Sequence, residues 1–102
     1  MFDFDSEAVR TLCRAILTLE TEAECRAFLE DICTITELQD MTQRLTAARL
    51  LSEGSNYQNI SEKLGLSTAT IARVNRCLNY GTGGYRTVLE RMKDSGSVVE
   101  NK

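Results

Sequence analysis

Apolar residues recur along this chain at intervals of three and four, the spacing of one helical face, and they do so in six separate blocks. Val9, Leu12, Cys13, Ile16 and Leu17 follow Ser6, a capping residue, and predict a first helix near 6–20. Thr21-Glu22-Ala23-Glu24 has the form of a capping box and opens a second helix near 22–32, with Cys25, Phe28, Leu29 and Ile32 apolar. After a break at 34–37, with Thr36 as the expected cap, the third helix carries the stripe Leu38, Met41, Leu45, Ala48 and Leu51 and stops at Gly54. Ser55 or Asn56 caps a fourth helix near 57–64, a fifth runs over 68–80, and the glycine cluster at 81–84 separates it from a sixth near 85–93. Residues 94–102 read as a disordered tail. The chain has no proline and only six glycines, so the simplest class is all-α. Its 102 residues make one domain over 1–93, with core and dimerisation helices over 1–56, and no internal repeat is present.

The most informative stretch runs from Tyr57 to Arg76. Ile60 and Leu64 share a face of a short helix. Gly65 follows, where a tight turn wants a residue tolerant of positive φ. Leu66 plugs the turn, Ser67 or Thr68 caps the next helix, and Ile71, Val74 and Leu78 pack that helix back on the first. This is the pattern of a helix-turn-helix over 57–80. Two short helices joined by a glycine-containing turn also occur in ordinary bundles, and charge separates the two readings.

The total charge is −3, an awkward value for a nucleic-acid-binding protein. Its distribution is uneven. Residues 1–56 hold five Arg against eleven Asp and Glu, a net of −6, whereas 57–93 hold six Lys and Arg against two Glu, a net of +4. One half alone therefore suits a polyanion, with modest affinity per monomer and strong salt dependence. The four cysteines, at 13, 25, 33 and 77, form no CxxC pair, and histidine is absent, which argues against a metal site. Cys13 and Cys77 fall where a small hydrophobe is useful, and reduced thiols fit the cytoplasm. The acidic N-terminus lacks the basic and apolar regions of a signal peptide, and no stretch is apolar enough for a membrane span. Without histidine, and with no evident base beside any cysteine, an enzyme is not expected and no cofactor is implied.

With Ile71, Val74 and Leu78 inward, 100° per residue sets Ala69, Arg73 and Arg76 on the opposite face. Ser67, Thr68 and Ala69 form the end that would enter the major groove of double-stranded DNA. Thr68 and Thr70 offer hydroxyls, and Arg73 has the fork that matches guanine O6 and N7. Gln58, at the start of the preceding helix, suits a phosphate. The alternative for Thr68 is a cap alone, and for Arg76 a phosphate clamp or a solvated charge. Tyr57 and Tyr80 read as packing residues. The apolar surplus of the first two helices exceeds what one helix-turn-helix needs, which points to a symmetric dimer.

From Thr36 to Leu89 the sequence resembles the Trp repressor superfamily, and most of all its YerC/YecD-like branch. The runs RLTAARLLSEG and ISEKLGLSTATIARVNRCLNYG carry the resemblance, above all Leu64, Gly65, Ala69, Thr70, Ile71 and Arg73. It implies an all-helical, intertwined homodimer with interlocked N-terminal helices, sequence-specific operator binding and transcriptional control; a repressor is the expected kind of regulator. In the tryptophan-responsive members two arginines hold the indole, and the matching positions here are Arg44 and Arg73. Two neighbours in this possible effector pocket depart from that pattern. Val74 stands where those members have glycine, and Cys77 replaces a serine. Overfilling a packed site costs about 1–3 kcal/mol, so tryptophan is not the expected effector. Arg44 is then expected to pair with Glu37 or Asp40, or to lie solvated. The competing function is a helical protein-interaction module that keeps the fold without specific DNA binding, suggested by the acidic N-terminal half.

Overall fold

The computed structural model describes residues 1–95 of the chain, and among them there are six α-helices and no strand. They are α1 (Glu7–Leu17), α2 (Glu22–Ile32), α3 (Ile35–Ser52), α4 (Tyr57–Leu64), α5 (Thr68–Tyr80) and α6 (Gly84–Asp94). The tail expected from residue 94 lies outside the described residues from 96 on; Asp94 is still helical, and Ser95 is the C-cap of α6. Contacts cluster the chain into two units that divide after Leu38, inside α3.

In the first unit each helix begins on a side-chain cap. Ser6 Oγ accepts from the Val9 amide at 3.3 Å, and Thr21 Oγ1 from the Glu24 amide at 3.1 Å. The third start differs from the expected one. Thr34, not Thr36, caps α3: its Oγ1 accepts from the Glu37 amide at 3.0 Å, and Glu37 Oε1 accepts from the Thr34 amide at 2.9 Å. This reciprocal pair is a capping box, and it starts the helix at Ile35, two residues earlier than a cap at Thr36 would. Neither α1 nor α2 has a buried residue. The first helix is also shorter than expected, ending at Leu17 with the Thr18 amide bonded to the Ala15 and Ile16 carbonyls.

The core lies in the second unit. Ala47, Ala48 and Leu50 on α3, Ile60 on α4, and Ile71 and Val74 on α5 form one buried cluster. Leu51, Tyr57, Leu64, Leu66, Tyr85 and Leu89 pack around it. The inner face of α3 keeps part of the expected stripe: Ala48 is buried and Leu51 packs on the cluster, whereas Met41 and Leu45 are exposed and Ala47 and Leu50 are buried beside Ala48. Ala47 and Ala48 share one buried cluster with the α4 and α5 isoleucines. Cys13 and Cys77, expected as small core hydrophobes, are both exposed. So is Tyr80, at 86% of its full area.

The helix ends are set locally. At the end of α3 the Ser55 amide donates to Leu50 O at 3.0 Å and the Gly54 amide to Leu51 O at 3.1 Å, with Gly54 at φ 96. This is a Schellman motif. The cap of α4 is Asn56, whose Oδ1 accepts from the Asn59 amide at 2.8 Å. Gly65 ends α4 at φ 71, ψ 23, a left-handed conformation that costs an L-residue about 1–2 kcal/mol. A Cβ there would meet no atom within 4 Å, so the strain is backbone strain alone. Gly65→Ala is accordingly expected to lower unfolding stability by about 1–2 kcal/mol in urea titration, with the far-ultraviolet spectrum of the native state unchanged.

Candidate nucleic-acid interface

Helix α5 starts on Ser67, whose Oγ accepts from the Thr70 amide at 3.1 Å and donates to Thr70 Oγ1 at 3.0 Å. Ser67 is thus the cap, which leaves Thr68 in the first turn, exposed, with its hydroxyl available. Thr70 is half-buried. Ile71, Val74 and Leu78 are buried, at 0%, 3% and 4% exposure, and they fix the rotation of the helix about its axis. Ala69, Arg73 and Arg76 emerge on the outer face, all exposed. No carboxylate of the described residues forms an ion pair with either arginine; the pairs present join Arg14 to Glu7, Arg26 to Glu30 and Arg49 to Glu53.

Gln58 is exposed in the first turn of α4, and its Nε2 lies 3.4 Å from Glu62 Oε2. Its backbone amide is among those a helix start leaves without an intrahelical acceptor. The sequence reading missed one member of the outer face. Tyr80 is four residues beyond Arg76 and seven beyond Arg73, so the same 100° arithmetic sets it beside them. At the end of α5, Asn79 Nδ2 donates to Asn75 Oδ1 at 3.0 Å, and Arg86 Nη2 of α6 donates to Asn79 Oδ1 at 2.8 Å. This chain of amides ties a cation of α6 to the C-terminal half of α5.

Behind the arginine face lies a pocket of about 480 Å³ between α3, the α4–α5 turn, α5 and α6. Arg44, Arg73, Val74 and Cys77 all line it, joined by Asp40 and Tyr85. The chain thus gathers the four candidate effector residues around one cavity. Arg44 is exposed and forms no ion pair with Glu37 or Asp40; Glu37 is engaged at the start of α3 instead. Val74 belongs to the buried core as well as to the pocket wall, so its isopropyl group cannot swing aside without loosening Ile71 and Ile60. Among the described residues no group of His, Cys, Asp or Glu could hold a metal ion. No helix among them is long and apolar enough to cross a membrane.

An all-α chain with two short helices around a left-handed glycine, the second of them amphipathic and cationic outward, defines a helix-turn-helix protein. Comparison with known proteins narrows the class. The profile of the family described as Trp repressor protein matches residues 7–93. The uncharacterised protein YerC of Bacillus subtilis is 46% identical over 91 residues, which span 89% of this chain and 88% of YerC. The crystal structure of a TrpR-like protein from Eubacterium eligens superposes with a TM-score of 0.84 at 45% identity, covering 96% of this chain and 97% of that one. A provisionally assigned Trp repressor from Staphylococcus aureus superposes at 0.83 with 40% identity, covering 91% and 96% of the two chains. The chain belongs to the Trp repressor family, whose members are DNA-binding regulators and not enzymes.

The pocket wall yields a direct expectation. A ligand present at about 100 times its Kd adds about 2.7 kcal/mol to stability. L-tryptophan in millimolar excess should leave the melting temperature of this protein where it was, if Val74 stands where the resemblance expects a glycine beside the indole.

Proposed function

We propose that this protein is a sequence-specific transcriptional regulator that binds double-stranded DNA as a homodimer, through α5 in the major groove, and that it acts in the cytoplasm without tryptophan as effector. The observation that carries this reading is the outer face of α5. Arg73 and Arg76 stand exposed and without ion-pair partners among the described residues, directly opposite a fully buried stripe, in a helix-turn-helix of a DNA-binding family. Thr68 and Ala69 keep the N-terminal end slim enough to approach base edges, and Arg73 is the guanine reader. Gln58, Ser67, Thr70 and Arg76 contact the backbone, Ser67 and Thr70 mainly by holding the helix start in place. A bound dimer would repress by occupying the operator, in keeping with the family's name.

The dimer has its own support. Leu12, Ile16 and Leu17 on α1 are 42%, 49% and 80% exposed, and Ile32 and Ile35 are 52% and 84% exposed. Helices of 11 residues are marginal in water without tertiary packing of their apolar face. A second copy covering these faces supplies that packing, in the two-fold arrangement that spaces two reading helices one DNA turn apart.

Arg73→Ala should weaken binding to a selected operator by about 1–3 kcal/mol and relax the preference at one base position. Parent-level affinity in the Arg73→Ala protein would sink the assignment of Arg73. Failure of the parent to bind any duplex at 50 mM salt, or binding indifferent to salt, would favour the interaction-module alternative. Sedimentation equilibrium should show a species of twice the 11.4 kDa chain mass; a strict monomer at micromolar concentration would refute the dimer.

A further inference from the structure

The α4–α5 turn sets the angle at which the reading helix leaves the core, and four of the hydrogen bonds around it bear on that angle. Three are local. The Gly65 amide donates to Ser61 O at 2.8 Å, Ser61 Oγ donates to Leu66 O at 2.6 Å, and the Thr70 amide donates to Ser67 Oγ. The fourth comes from another helix: Gln43 Nε2, on α3, donates to Leu64 O at 3.2 Å, across 21 positions of sequence. Leu64 is the last residue of α4, so its carbonyl is one of those that a helix end leaves unpaired.

The position of Gln43 is otherwise unexplained. It lies four residues before Ala47 and seven before Leu50, on the same face of α3 as those two buried residues. A core-facing stripe calls for an apolar side chain there, and a half-buried amide is tolerated only with a partner. Leu64 O is that partner.

We propose that Gln43 is a positioning residue for DNA recognition: it ties the helix-turn-helix turn to the core helix and sets α5 in its groove-reading pose in the ligand-free protein. This rests on the DNA-binding reading above. The geometry gives the reason. A tilt of about 10° at the turn moves a side chain about 10 Å along α5 by nearly 2 Å, more than a bidentate arginine–guanine contact accommodates. Contacts to phosphates are less exacting, so loss of the strut strikes specific binding first. Gln43 also lines the pocket together with Leu66 of the turn. The chain thereby uses its own amide to brace the turn from the pocket side.

The test compares the parent with Gln43→Met, which keeps length and removes the donor, and Gln43→Lys, which restores a donor suited to a helix C-terminus. Affinities are measured on a selected operator and on random duplex at one salt concentration, alongside the amide nitrogen shift of Gly65, the group bonded to the Leu64 carbonyl carbon. Gln43→Met is expected to lose about tenfold on the operator, to stay within about twofold on random duplex, and to move the Gly65 resonance. Gln43→Lys should recover operator binding. A Gln43→Met protein that matches the parent on the operator, or that loses equally on both DNAs, overturns the proposal. If the parent itself binds no duplex, the DNA-binding reading fails and the positioning role falls with it, an outcome distinct from a variant that matches a binding parent.

Discussion

Everything in the second unit depends on the contact between the alanine face of α3 and the isoleucines of α4 and α5. Ala47 and Ala48 have no exposed surface, and Ile60 and Ile71 are buried against them with Val74 alongside. Burying a side chain of that size is worth about 1.5–3 kcal/mol, and the residues that supply this gain also set the rotation of α5. Turning the helix by one residue, 100°, would lift Ile71 into water and carry Arg73 toward the core. Stability and the presentation of the cationic face are therefore one constraint. Among the described residues no polar side chain is buried, so this core has no directional side-chain bonds of its own. Orientation is left to shape and to the hydrogen bonds at the helix ends.

Val74 couples that core to the pocket. It belongs to the buried cluster and also lines the pocket together with Arg44 and Arg73. A tryptophan-sensing relative keeps glycine at this place, as the resemblance implies, and so keeps space beside the indole. Here Val74 is packed into the buried cluster. Asp40 adds a carboxylate to the same cavity, which moderates the charge of the two guanidinium groups and gives the pocket a mixed character.

The first unit shows the reverse balance. Its helices are started by well-formed side-chain caps at Ser6, Thr21 and Thr34, yet α1 and α2 bury nothing. Caps contribute about 1 kcal/mol each, enough to define where a helix begins but not enough to hold an 11-residue helix alone. The apolar stripe of α1 is the feature of this chain that most requires a partner surface.

Where the sequence was sufficient, the determinants were local. The bounds of α2, α4 and α5, the left-handed turn at Gly65 and the inward stripe Ile71, Val74, Leu78 all follow from residues within a few positions of one another, because caps, turns and helical periodicity are short-range physics. The tertiary structure alone decided the rest. It buried Ala47 and Leu50 on α3 and left Met41 and Leu45 exposed, since the neighbouring helices cover only one side of α3, whichever residues stand there. It left Cys77 and Tyr80 in the open, since a helix covers only the faces that neighbours reach. It also gave Gln43 its partner on Leu64, a bond that no local pattern announces because its two ends meet only after the helices have packed. Periodicity tells which side chains can share a face; the contact surfaces of the folded chain determine which of those faces is buried.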